Sequence, residues 1–136
     1  MTYLSHSPEQ THAIAAEFSK TLRGGECIAL HGEMGAGKTQ FVRGLVQGLG
    51  GNIRSVSSPT YVLLNVYDTG RLSVYHLDAY RVAGPDDFEG IGFPELLEQG
   101  GVVVVEWPTR VMELLPPGHI AIHIEATGVS DRTITC

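Results

Sequence analysis

The sequence predicts an α/β domain whose sheet mixes parallel and antiparallel strands. Three observations predict it. Val102-Val103-Val104-Val105 is an unbroken β-branched run, as expected of a strand covered on both faces in a parallel sheet. A glycine-rich stretch stands between an apolar run at Cys27–Leu30 and a helical pattern that begins near Lys38. Two aromatic and β-branched runs, 61–67 and 72–77, flank Asp68-Thr69-Gly70-Arg71, which reads as an antiparallel hairpin.

The elements follow in order. Ser7-Pro8-Glu9-Gln10 is a helix start, with Ser7 as cap, Pro8 at the first helical position and Gln10 completing a capping box. Ile14, Phe18 and Leu22 recur every four residues and give one apolar face, and Gly24-Gly25 is expected to end that helix. Cys27–Leu30 is a short buried strand. The helix from Lys38 to Gln47 packs through Phe41, Val42, Leu45 and Val46, and Gly48, Gly50 and Gly51 stop it. Pro85 and Pro94 mark helix starts in a looser segment, 84–100. Its acidic residues (Asp86, Asp87, Glu89, Glu95, Glu98) read as a solvated face, with docking on a basic partner surface as the alternative. After the valine strand a short helix is expected over 110–115, broken by Pro116-Pro117-Gly118. His119–Glu125 alternates, with Ile120, Ile122 and Ile124 on one side, and Arg132–Thr135 is a last strand. No linker, repeat or low-complexity tract divides the chain, so one domain is expected over 1–136.

Length and composition bound the function. At 136 residues there is room for one core and little more. Nine Lys plus Arg against fifteen Asp plus Glu give a formal charge of −6, with lysine only at Lys20 and Lys38. That balance argues against unassisted binding to a nucleic-acid backbone. Cys27 and Cys136 fit no metal-ligand spacing and make no disulfide scaffold, so reduced thiols are expected. The first ten residues lack the pattern of a signal peptide, and no apolar run approaches the ~20 residues that span a bilayer. The expected location is the cytoplasm, without membrane or DNA as partner.

Gly32-Glu33-Met34-Gly35-Ala36-Gly37-Lys38-Thr39 matches G-x-x-x-x-G-K-[ST] between a strand and a helix. The spacing has a physical reason. Glycines let the chain wrap a phosphate with backbone N–H groups pointing inward, and the helix N-terminus adds a partial positive charge. Lys38 is expected at the β- and γ-phosphates and the Thr39 hydroxyl on Mg²⁺. The expected fold is thus a three-layer P-loop NTPase-like domain, and the expected activity is Mg²⁺-dependent ATP hydrolysis.

Such a site needs a carboxylate at the end of another strand. Glu106, after the four valines, and Asp78, after the run 72–77, both qualify. Thr60, in Ser57-Ser58-Pro59-Thr60-Tyr61, is the candidate sensor of the γ-phosphate. The N-K-x-D element of guanine readers is missing, which favours adenine. Trp107 either stacks on a base or partner or packs beside Pro108. His31, His76, His119 and His123 sit on or beside strands in no metal-ligand pattern and are read as structural. Arg43, Arg54 and Arg81 are the candidates for a transition-state arginine in cis, and none stands out. Two rival functions use the same motif: a small-molecule kinase, and a nucleotide-gated binding module with negligible hydrolysis.

Gly32–Thr39, Ser58-Pro59-Thr60-Tyr61, His76-Leu77-Asp78-Ala79-Tyr80-Arg81 and Glu106-Trp107-Pro108 occur in that order. Together they resemble the bacterial TsaE family, also called YjeE, over about residues 11–132. The resemblance implies an ATPase weak alone and dependent on a TsaB–TsaD heterodimer, which transfers threonylcarbamoyl to a tRNA adenosine beside the anticodon. Hydrolysis would reset that complex between turnovers, and tRNA would be met only through it. Carried over by motif, Thr39 and Glu106 would hold Mg²⁺, and Lys38, Asp78 and Thr60 would serve hydrolysis. Thr11 would lie near the base, with Gln40, Trp107 and Arg132 also around the nucleotide. Met34 and Ala79 differ from the residues usual in the family but keep their character.

Overall fold

The computed structural model describes residues 1–57, 63–80 and 82–136. The readings at Ser58, Pro59, Thr60, Tyr61 and Arg81 lie outside the described residues.

Seven strands form one sheet: β1 (Thr2–Ser5), β2 (Cys27–His31), β3 (Leu64–Tyr67), β4 (Val74–Asp78), β5 (Val102–Glu106), β6 (Ile120–Ala126) and β7 (Arg132–Thr135). Their order across the sheet is β1-β7-β6-β2-β5-β4-β3. The central strands β6, β2, β5 and β4 run parallel, and the pairs β3–β4, β6–β7 and β1–β7 are antiparallel.

Side chains on β5 alternate between two cores, as strand geometry requires. Val102 and Val104 join Ile28, Leu30, Phe41, Val42 and Leu45 on one side. Val103 and Val105 join Ala29, Leu77, Phe88 and Phe93 on the other. The first core lies under α1 (Pro8–Ser19) and α2 (Lys38–Gly48), and the second under α3 (Pro85–Gly90) and α4 (Phe93–Leu97). The result is three layers, as the sequence predicts.

Helix α1 starts as expected. Its cap Ser7 accepts from the Gln10 N–H at 3.1 Å, and the Gln10 side chain accepts in turn from the His6 N–H at 2.7 Å. It ends at Ser19, five residues before Gly24, because the N–H groups of Lys20, Thr21 and Leu22 each turn to a carbonyl three residues back. Leu22 is buried all the same. Helix α2 lies against α1 through Gly44, where a Cβ would come within 2.5 Å of the His12 carbonyl and 2.6 Å of the Ala15 Cβ. Only a glycine allows that approach without a shift of backbone.

Two further expectations are corrected. Residues 110–115 do not form a helix. They form two separate 3₁₀ turns, Pro108–Arg110 and Met112–Leu114, parted by Val111 at φ −133° with its side chain buried. Packing of Val111 overrides the local helical pattern. The hairpin connection is longer than four residues, running from Asp68 to Ser73, because Thr69 Oγ1 folds it by accepting from the N–H groups of Arg71 and Leu72. Strand β1 was not expected. It is a four-residue edge strand with three exposed residues, and it draws its order from β7, where Thr2 faces Thr135 and Ser5 faces Arg132. No helix among the described residues is long and apolar enough to cross a membrane.

Candidate nucleotide site

The site forms where the central parallel strands end. Strand β2 leads into the loop Gly32–Gly37, which turns at once into α2. Gly35 and Gly37 have φ of +81° and +102°, a backbone region that disfavours side chains, and Gly37 is the residue from which α2 starts. A Cβ on Gly35 would meet nothing within 4 Å, so the loop's hollow is open. Lys38 and Thr39 occupy the first turn of α2, where backbone N–H groups have no partner within the helix.

Register brings the carboxylates to the loop. Leu30 pairs with Glu106 across β2–β5, and Glu106 pairs with Asp78 across β5–β4. By alternation both acids face the α1–α2 side, the side on which α2 carries Lys38. Lys38, Asp78 and Glu106 are 6 %, 2 % and 3 % exposed. Lys38 Nζ stands 4.0 Å from Glu106 Oε1 and 3.7 Å from the centre of the Trp107 ring. It has no hydrogen-bond partner among the described residues. Burial pulls the Lys38 pKa below the ordinary lysine value, against the opposing charges of Glu106, Asp78 and Glu33. A buried ammonium with unspent hydrogens beside an open loop of backbone donors fits a phosphate chain.

A cleft of about 360 Å³ gathers the candidates. Gly35, Gly37, Lys38, Thr39, Gln40, Glu106, Trp107 and Arg132 line it, with Pro8 and Met34. Met34 is 71 % exposed at its rim. Gln40 Oε1 also lies 2.6 Å from His12 Nε2, joining α2 to α1. Arg132 reaches from β7 to hold the loop from behind: its Nε donates to the Ala36 carbonyl at 2.9 Å and its Nη2 to that of Gly35 at 3.2 Å. Gly32 and Glu33 belong to a neighbouring hollow of about 700 Å³ that meets the cleft at Trp107. Of the two, only the smaller holds Lys38 and the start of α2.

Some candidates stand elsewhere. Thr11 does not line the cleft, and its buried hydroxyl lies 2.8 Å from Ser5 Oγ. Arg43 and Arg54 line a separate hollow with His12 and Ile53. Asp78 accepts from the Tyr80 N–H at 2.8 Å, which fixes its carboxylate at the strand end.

Trp107 is half-buried, and its ring lies against the Lys38 ammonium and 5.0 Å from the ring of Tyr80. Its φ of +54° is left-handed, a conformation that costs a bulky residue about 1–3 kcal/mol and persists where surrounding structure imposes it.

A model of the family described as "Threonylcarbamoyl adenosine biosynthesis protein TsaE" matches residues 5–134. The chain belongs to the TsaE family. Among its relatives, the tRNA threonylcarbamoyladenosine biosynthesis protein TsaE of Bacillus subtilis is 39% identical over 129 residues, covering 95% of this chain and 80% of that one. The TsaE protein of Treponema pallidum is 39% identical over 135 residues, covering 99% and 98%. A crystal structure of Bacillus subtilis YdiB superposes with a TM-score of 0.79 at 30% identity, over 98% of this chain and 82% of the other. The TsaE resemblance read from the motifs is thereby established, together with the fold it implied.

Sequence reasoning missed one contributor. His76, read as structural, is fully buried and hydrogen-bonds Glu106 Oε2 through Nε2. The available signal was its spacing. Two residues before Asp78 on one strand, it shares that residue's face.

Proposed function

We propose that this protein is a Mg²⁺-dependent ATPase that serves threonylcarbamoyladenosine formation on tRNA by driving turnover of a TsaB–TsaD complex in the cytoplasm. The observation that carries the ATP-binding part is Lys38 Nζ, a buried ammonium at the end of a glycine loop without a hydrogen-bond partner among the described residues. The names of the TsaE relatives support the tRNA-modification part.

In this reading the loop N–H groups and the first turn of α2 bind phosphate oxygens. Lys38 neutralises the β- and γ-phosphates. Thr39 and Glu106 would hold Mg²⁺, which would supply positive charge against the phosphates. Asp78 or Glu106 orients water, and Thr60, outside the described residues, senses the γ-phosphate. The water oxygen bonds to the γ-phosphorus, the bond to the β,γ-bridging oxygen breaks, and the water proton passes to a carboxylate or to solvent. ADP and phosphate leave. Trp107 covers Lys38 and excludes water from one side. The charge of −6 suits a protein that meets tRNA only through its complex.

The test is phosphate release from ATP with Mg²⁺, by the protein alone and with TsaB–TsaD added. Slow release alone and clear stimulation are expected. Equal rates would remove the partner role, and release matched by a phosphorylated acceptor would favour a kinase. Glu106→Ala is expected to bind ATP and lose turnover. Turnover retained in that variant would transfer the role to Asp78.

A further inference from the structure

Two buried polar side chains, His76 and Tyr67, stand in line behind Glu106. His76 Nε2 hydrogen-bonds Glu106 Oε2. The other ring nitrogen, Nδ1, lies 3.1 Å from the Tyr67 hydroxyl. That hydroxyl accepts from the Ser57 N–H at 3.2 Å, and it has one hydrogen to divide between the Ser57 carbonyl oxygen at 2.8 Å and His76 Nδ1. His76 is 0 % exposed and Tyr67 4 %, both on the α1–α2 side of the sheet.

A polar ring in such a core costs free energy unless both nitrogens are satisfied, and an apolar side chain would fill the space without that cost. Here both nitrogens have partners, and one of them is a carboxylate at the cleft. An ionised Glu106 only accepts, so Nε2 is the donor and Nδ1 is left to the tyrosine. Fixing one carboxylate oxygen toward His76 leaves the other, Oε1, directed at Lys38. The line therefore sets the orientation of Glu106 and ties it to the backbone at Ser57.

We infer that His76 is a positioning residue for Glu106, acting through its Nε2–H, with Tyr67 and the Ser57 backbone as its anchor. The inference rests on the reading of Glu106 given above. It assigns His76 no contact with substrate and no proton transfer.

Two amide variants separate its two contacts. His76→Gln offers an amide nitrogen near the Nε2 position and keeps the bond to Glu106. His76→Asn offers one near the Nδ1 position and keeps only the tyrosine. Loss of an outer hydrogen bond of this kind costs about 10- to 100-fold in activity. His76→Asn is expected to lose kcat by about that factor with KM for ATP little changed, and His76→Gln to recover most of it. A second readout needs no turnover. In the nucleotide-free protein the His76 Nε2–H should give a slowly exchanging proton resonance, assigned by its loss in His76→Gln, that shifts or disappears in Glu106→Gln. Equal kcat losses in the two amide variants, or a resonance unmoved by Glu106→Gln, would overturn the inference. Failure of the underlying reading looks different: Glu106→Gln would then turn over ATP like the unaltered protein, whatever His76 does.

Discussion

The two faces of the sheet are built differently, and only one of them buries the polar candidates of the cleft. On one side α1 and α2, of 12 and 11 residues, meet closely at Gly44 and cover a core in which Lys38, His76, Asp78 and Glu106 are buried with the apolar residues. On the other side α3 and α4, of six and five residues, cover a core built around Phe88 and Phe93, whose rings lie 5.4 Å apart. Their acidic residues, Asp86, Asp87, Glu89, Glu95 and Glu98, point to solvent. One strand serves both sides: Val104 and Glu106 belong to the first face, Val103 and Val105 to the second. The difference teaches that the polar cost of the cleft is carried by the face with the longer helices, while the opposite core reaches the cleft through Trp107, which packs against it.

This contrast can be broken most forcefully at Phe88. Phe88→Ala is expected to cost about 3–5 kcal/mol in chemical denaturation with ATP affinity little changed. A large loss of affinity in the folded variant would show that the second face also shapes the site. Gly44→Val attacks the first face. Overpacking against the α1 backbone is expected to cost about 1–3 kcal/mol, and ATP affinity should fall with it, because α2 carries Lys38. The two variants together sharpen the contrast: one loses stability only, the other both.

Lys38→Met should show the cost of the site itself. The folded-state pKa of Lys38 is lowered, chiefly by burial, so the folded state holds this proton less tightly than the unfolded chain. As pH rises the folded state releases the proton first, and the burial cost is relieved. Replacing the ammonium by an apolar side chain should raise the stability of the nucleotide-free protein by about 1 kcal/mol while ending ATP binding. The smallest effect concerns His31, which stacks on His123 with ring centres 4.4 Å apart. Burial, then His123, His119 and Lys38, lower its pKa. As pH falls below about 6.5 the unfolded chain takes up the proton first, so stability declines. His31→Asn should flatten that decline in thermal melts between roughly pH 7 and pH 5.

What the sequence made legible follows from how local its causes are. The glycine loop and the start of α2 are written in consecutive residues, and so is the double-sided burial of the four valines. The start of α1 is equally local, in Ser7, Pro8 and Gln10. Strand β1 is ordered by pairing with β7, more than a hundred residues away, and its own residues carry little strand signal. The turns at 108–114 depend on the burial of Val111. The contact between His76 and Glu106 joins residues 30 apart in sequence, and only the parallel pairing of β4 with β5 brings them together. Cys27 reads correctly as a buried thiol, and burial pushes its pKa up to about 12, so it should resist alkylation in the folded protein.

The central claim is that the buried Lys38 ammonium stands ready for the phosphates of ATP. Titration calorimetry of Mg²⁺–ATP into the purified protein and into Lys38→Ala tests it directly. The account predicts saturable binding by the unaltered protein and none by a folded Lys38→Ala variant. Equal affinity in the two proteins would contradict it.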